Sequence, residues 1–447
     1  MIRKTAQAAS FLACLLGTAL AWGAGAPQPP QAAPCPEPLA ASVSCYTGQD
    51  GAGAFYWIAI PAQWAQVLVV HAHGGPELGA PRAERTEEDL KRWAVTVKAG
   101  YAWVASTYRR GGYGVTMAAE DTERARQIFV QYFGQPRRTL LHGQSYGGGV
   151  ASKAIELFAT SHKGKSPYDA VLLTSAVLGG GTVAYTFRLD LRVVYQYVCK
   201  NHPRADEPQY PLWMGLPKGT ALNRAELAQR VDDCTGLRLP PAQRSPAQQQ
   251  RLSDILNVVK IPERSLIGHL SWATWLFEDL VSHRLRGGNP FDNETVVYRG
   301  SSDDAALNKG VLRYSADPAA VALLAADSQP TGSLPVPTLT LHAIHDPTAF
   351  VEVESNYRDV VASAGQASSL VQVFSDESEH SYLSDPQYPA LLTALMDWVD
   401  NGTRPTPQKV AGLCESYRAT YGSTCHVQPD YQSAPLAQRV APRRPIP

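Results

Sequence analysis

Gly143-Gln144-Ser145-Tyr146-Gly147 constrains this chain more than any other stretch, because of what stands on either side of it. Arg138-Thr139-Leu140-Leu141-His142 precedes it and is short and apolar enough for a buried strand. Gly148, Gly149, Val150, Ala151, Ser152, Lys153 and Ala154 follow, small residues that open a helix. A strand that turns sharply into a helix strains the backbone at the turn residue, here Ser145. The glycines on both sides let strand and helix pass without a Cβ clash.

The rest of the chain repeats that unit. After a Pro-rich linker, residues 41–61 read as a hairpin, and then strands and helices alternate as in a parallel sheet. Strands are expected at 67–70, 101–106, 139–142 and 170–175, with helices at 86–98, 118–133 and from the serine turn to about residue 160. The rhythm stops at 179–330, where helical patterns such as 248–259 and 271–285 dominate. It resumes with a strand at 338–343, a helix near 353–364, a strand at 370–374 and a helix at 389–399. The expected organisation is a core in two parts, 27–178 and 331–402, with a helical insertion at 179–330 and a Pro-rich extension at 403–447.

Residues 1–26 read as a signal peptide. Arg3 and Lys4 form a basic start, an apolar run follows, and small residues offer a cleavage site. The apolar run is too short to cross a bilayer, so no membrane insertion is expected after cleavage. Removal of the signal takes Cys14 away and leaves Cys35, Cys45, Cys199, Cys234, Cys414 and Cys425. Six cysteines allow fifteen connectivities; proximity in sequence favours 35 with 45, 199 with 234, and 414 with 425. This is the cysteine usage of a secreted or periplasmic protein. Lys plus Arg and Asp plus Glu balance at 40 each over 447 residues, which gives no field for nucleic acid. No signal for an oligomeric state stands out.

A serine hydroxyl becomes a nucleophile when a base takes its proton and an acid orients the base. Asp346 stands where the strand Leu339-Thr340-Leu341-His342-Ala343 has just ended, and Pro347 turns the chain away. His380 lies in Asp376-Glu377-Ser378-Glu379-His380, after the next strand. Ser145, Asp346 and His380 therefore follow the chain order Ser, acid, His. An oxyanion hole needs two N–H groups. Tyr146, directly after the serine, offers one. Gly75, in His71-Ala72-His73-Gly74-Gly75-Pro76, offers the other, since Pro76 has no N–H to give.

With the His-Gly-Gly-Pro loop, the Gly-x-Ser-Tyr-Gly-Gly turn, the late Asp and the later His, the chain resembles the α/β-hydrolase superfamily over about residues 41–402. The resemblance implies an α/β fold with a mostly parallel central sheet, helices on both faces and a helical cap insertion. It also implies acyl-enzyme chemistry without a cofactor. The His-Gly-Gly-Pro loop is similar to that of proline iminopeptidases, which continue with further glycines where this chain has Glu77-Leu78-Gly79. In tannase and feruloyl esterase relatives, cysteines flank the nucleophile and the base; here Gln144 and Ser381 stand at those positions.

The expected activity is cleavage of a small-molecule carboxylic ester by a serine hydrolase. Amide cleavage by the same residues, with Glu278 or Asp279 reading an amine, is the first alternative. A metal-dependent hydrolase and a non-catalytic binding protein are alternatives of another class. His71-x-His73, followed by Gly-Gly-Pro, lacks the further Asp and His of a binuclear zinc site, and the histidines of His342-x-x-His345-Asp346 read as packing at strand ends, so no metal is expected. Trp213, Trp272 and Trp275 in the insertion are candidate substrate contacts that could equally be core. Arg109-Arg110-Gly111-Gly112 offers an acidic substrate two cations, or simply makes a tight loop.

Overall fold

Val67, Leu68, Val69 and Val70 are all buried, with alternate residues belonging to two different apolar layers. A strand apolar on both faces is one covered by helices on both sides. The computed structural model describes residues 29–39, 42–422 and 424–443. The expected signal peptide and Cys14 lie outside the described residues.

Among the described residues the strands form one sheet: β1 (Gln31–Ala33), β2 (Val43–Gln49), β3 (Phe55–Pro61), β4 (Val67–Ala72), β5 (Ala102–Ser106), β6 (Arg138–Gln144), β7 (Ala170–Thr174), β8 (Thr338–Ala343) and β9 (Leu370–Ser375). Their order in space is β1-β2-β3-β5-β4-β6-β7-β8-β9. Pairings from β5 through β9 are parallel, while β1, β2 and β3 add an antiparallel edge. The chain lays β5 on one side of β4 and then β6 on the other. Ligand crevices open at the C-terminal ends of strands at such a reversal.

One face is covered by the Glu84–Arg92, Ala94–Lys98, Gln387–Asn401 and Pro407–Tyr421 helices. The other carries the Val115–Phe133 and Tyr146–Leu157 helices and most of the segment between β7 and β8. That segment is helical and contains no strand. Its helices are started by local chemistry. Ser245 and Gln248 form a capping box ahead of Pro246–Val259, and Asp317 caps Pro318–Ser328, each with proline in the first turn. The cysteines pair as 35–45, 199–234 and 414–425.

Three departures from the sequence reading have physical causes. Residues 31–33, read as linker, pair with β2 as a short edge strand. The 86–98 helix is two helices that break at Trp93, whose indole is buried. The 403–447 extension holds the Pro407–Tyr421 helix, N-capped by Thr406 and packed on the preceding helix. Its residues Leu436 and Val440 reach back to the crevice.

Candidate active site

β6 ends at Gln144 and the next helix begins at Tyr146, which leaves a single residue for the turn. Ser145 takes it with φ 56° and ψ −121°, a backbone conformation that residues other than glycine rarely adopt. The turn fits because its neighbours lack side chains. A Cβ on Gly147 would overlap the Ala72 carbonyl oxygen, and one on Gly148 would overlap Ala176. The strain is held by backbone bonds: the Ser145 N–H donates to Thr174 O at 3.0 Å, and its carbonyl accepts from Gly148 and Val177.

His380 Nε2 lies 2.7 Å from Ser145 Oγ, and His380 Nδ1 lies 2.7 Å from Asp346 Oδ2. The three side chains arrive from the ends of β6, β8 and β9. Asp346 is buried, and its Oδ1 accepts the N–H groups of Thr348 at 2.7 Å and Ala349 at 2.9 Å. Burial by itself would raise its pKa. The imidazoles of His380 and His342 outweigh burial and hold the carboxyl well below the usual carboxylate range. Gln144 Nε2 donates to the His380 carbonyl at 3.5 Å. A side-chain amide thus ties the residue before the serine to the histidine.

The β4 loop brings Gly75, at φ +74°, to the same crevice. Two donors grip the Gly74 carbonyl: His73 Nδ1 at 2.9 Å and Arg85 Nη2 at 3.0 Å. In a trans peptide the N–H lies opposite the carbonyl, so fixing Gly74 O also fixes the direction of the Gly75 N–H. Burial, reinforced by Arg85, lowers the His73 pKa to about 3 and keeps the ring neutral. Tyr146 opens a helix, where the first N–H groups have no intrahelical acceptor.

Ser145, His380, Gly75 and Tyr146 border a cavity of about 260 Å³. Its wall is largely apolar and aromatic, with Tyr185, Phe187, Trp272 and Phe350 from the helical segment and the β8 loop. Of the three tryptophans expected to contact substrate, only Trp272 borders it. Trp213 sits in a short helical turn packed on the core, and Trp275 lies under the Arg224 guanidinium at 4.7 Å. Trp272 and Trp275 share the wider π-helical turn Trp272–Leu276, which aims them differently.

Glu278 and Asp279 do not border the cavity. Asp279 accepts the Tyr113 N–H at 2.7 Å and pairs with Arg284, and so ties the helical segment to the 109–114 loop. Arg109 in that loop pairs with Glu120 and Asp121. The cations that do border the cavity are Arg188 and, at its mouth, the exposed Arg92. Sequence reading passed over Arg188. The available signal was an arginine among Tyr185 and Phe187 with no acid three or four positions away.

No protein-family model matches the chain, and no curated protein matches it. Among solved structures, the chain is similar to feruloyl esterase B from Aspergillus oryzae, at 14% identity and TM-score 0.43 over 85% of this chain and 88% of that one. It is also similar to the rice cell wall degrading esterase LipA from Xanthomonas oryzae, at 15% identity and TM-score 0.38 over 75% and 83% of the two chains. An esterase from the bacterial hormone-sensitive lipase family gives 14% identity and TM-score 0.37 over 86% and 87%.

Proposed function

We propose that this chain is an exported serine hydrolase of the α/β-hydrolase superfamily that cleaves carboxylic esters through an acyl-enzyme. The observation that carries the reading is the unbroken line Ser145 Oγ, His380 imidazole, Asp346 carboxylate, with both links at 2.7 Å and the serine held at positive φ. Ser145 Oγ attacks the ester carbonyl while His380 Nε2 takes its proton. The tetrahedral oxyanion accepts the N–H groups of Gly75 and Tyr146. His380 then protonates the leaving alcohol, and water repeats the sequence to release the acid. Asp346 holds the imidazole so that Nε2 faces the serine, and stabilises the imidazolium that forms.

The helical segment 179–330 acts as a cap that shapes the acyl pocket. Its Trp272, Tyr185 and Phe187 border the cavity, and the chemistry comes from loops of the sheet. Three disulfides support the export reading. Recognition of a free amine, as in an aminopeptidase, finds no carboxylate of the cap on the cavity wall.

The decisive experiment pairs turnover of 4-nitrophenyl esters and aminoacyl 4-nitroanilides with fluorophosphonate labelling. Wild-type protein should cleave esters and take label at Ser145. Ser145→Ala should fold, lose the label and lose about a thousandfold or more in turnover. Undiminished turnover in Ser145→Ala protein would overturn the reading.

A further inference from the structure

Arg188 is 3% exposed and borders the same cavity as Ser145 and His380. Its guanidinium lies 4.5 Å from the Trp272 ring, 4.7 Å from Phe187 and 5.0 Å from Tyr185. Among the described residues its guanidinium makes no ion pair and no hydrogen bond, and its buried Nε has no partner. Burial pulls its pKa down to about 10, so the arginine still carries its charge at neutral pH.

Other buried arginines of this fold have partners on their Nη groups, even where, as in Arg192 and Arg230, Nε is left without one. Arg192, one turn further along the same helix, donates through Nη1 to Gly215 O, Ala273 O and Thr274 Oγ1 at 3.1–3.2 Å. Arg126 pairs with Glu123, and Arg230 with Glu207 and Glu226. A desolvated, unpaired charge is costly and persists where something supplies its counter-charge. Aromatic faces attract a cation, but they accept none of its N–H groups in the plane of the fork.

We propose that Arg188 binds a free carboxylate of the substrate, so that the hydrolase acts on esters that also carry an anionic carboxyl group. The inference rests on the ester-hydrolase reading of this cavity. A carboxylate matches the guanidinium fork with two parallel N–H···O bonds. One buried cation in a small, largely apolar pocket, with the second bordering cation, Arg92, exposed, neutralises a single charge, which favours a carboxylate over a dianionic phosphate. The aromatic walls suit a flat or apolar spacer between carboxylate and ester.

The test compares 4-nitrophenyl 4-carboxybenzoate with its neutral carbamoyl counterpart, and 4-carboxyphenyl benzoate with 4-carbamoylphenyl benzoate. The first pair carries the charge on the acyl side, the second on the leaving group. In at least one pair the wild-type enzyme should favour the acid by about 100-fold in kcat/KM, mainly through KM. Arg188→Met should collapse that ratio to near one, and Arg188→Lys should restore part of it. Equal turnover of acid and amide in both pairs, or a fall of both substrates together in folded Arg188→Met, overturns the proposal.

Should Arg188→Met fail to fold, calorimetry on Ser145→Ala protein decides. 4-Carbamoylbenzoate, which carries one carboxylate, must bind and terephthalamide must not; equal binding, or none of either, overturns it. That binding does not need hydrolysis. 4-Carbamoylbenzoate binding by a protein that cleaves no ester and takes no fluorophosphonate would sink the hydrolase reading and leave the anion site standing.

Discussion

His342 Nε2 stands 3.5 Å from Asp346 Oδ2, the same carboxylate oxygen that meets His380 Nδ1 at 2.7 Å. One buried oxygen therefore faces two imidazoles. His342 is fully buried, and its Nδ1 meets Glu354 Oε1 at 3.1 Å. Burial would lower its pKa, yet the Asp346 and Glu354 carboxylates raise it to about 10. The Asp346 carboxylate is thus braced by a buried cation from β8, the strand that precedes it.

Asp346→Asn removes the charge that pairs with His380 and keeps the shape. An amide in that place can present its NH₂ to Nδ1 and turn the imidazole to the wrong tautomer. Turnover of a 4-nitrophenyl ester should fall by about 10³- to 10⁴-fold with KM little changed. His342→Gln should fall far less, because it acts only through Asp346. Equal losses in the two variants would show that His342 takes part more directly.

Stability should peak near neutral pH for reasons of opposite sign. His73 and His142 are buried neutral, each lowered to about 3, chiefly by burial. Their unfolded forms take up protons first, so their contribution is present above about pH 6.5 and is lost as pH falls toward 3. His342 is raised, so its contribution is full below about 6.5 and is lost as pH rises through about 10. Calorimetric Tm from pH 4 to 10 should fall at both ends, and His342→Gln should flatten the alkaline limb alone. An unchanged alkaline limb in that variant contradicts the buried ion pair.

The sheet was legible in the sequence because its strands are apolar on both faces and are separated by helices of ordinary length. Ser145, Asp346 and His380 could be placed at one sheet edge from the sequence because each stands within a few residues of a strand's C-terminal end. The cavity wall was not legible. Which tryptophan borders it depends on a π-helical turn, and Leu436 and Val440 arrive from an extension whose proline content masked its helix. Arg188 stayed hidden because an unpaired charge is defined mainly by what surrounds it in space; the sequence held only the weak signal of an arginine with no acid three or four positions away.

Glycine substitutions in the serine turn should separate by backbone contact. Gly147→Ala drives a methyl into the Ala72 carbonyl, and backbone cannot swing aside. A loss of about 1–3 kcal/mol or more is expected. Gly149→Ala meets only the Val177 carbonyl oxygen at 3.1 Å and should lose much less. Denaturant unfolding of the two variants checks the ranking, and equal stability would mean that strand and helix are packed less closely than described.

Trp272 and Trp275 offer the sharpest test of the cap as a selectivity element, because they are near neighbours in sequence and only one borders the cavity. Trp272 packs against Tyr185 at 4.2 Å between ring centroids and edges onto Phe277 at 5.8 Å, so its indole is held as part of the wall. Removing it in Trp272→Ala widens the pocket and removes contacts that a long or aromatic acyl group would make. A well-buried contact of this kind is worth about 1–3 kcal/mol in kcat/KM. Octanoyl and benzoyl esters should therefore lose about 5- to 150-fold, and an acetyl ester, too short to reach the indole, should lose much less. Trp275→Ala removes the partner of Arg224 on another side of the segment, and should leave the ranking of acyl chains as it was even if Tm drops. The measurement is kcat/KM for acetyl, butyryl, octanoyl and benzoyl esters on both variants. If Trp275→Ala reorders the esters and Trp272→Ala does not, the acyl group lies elsewhere and the cap is not what selects it.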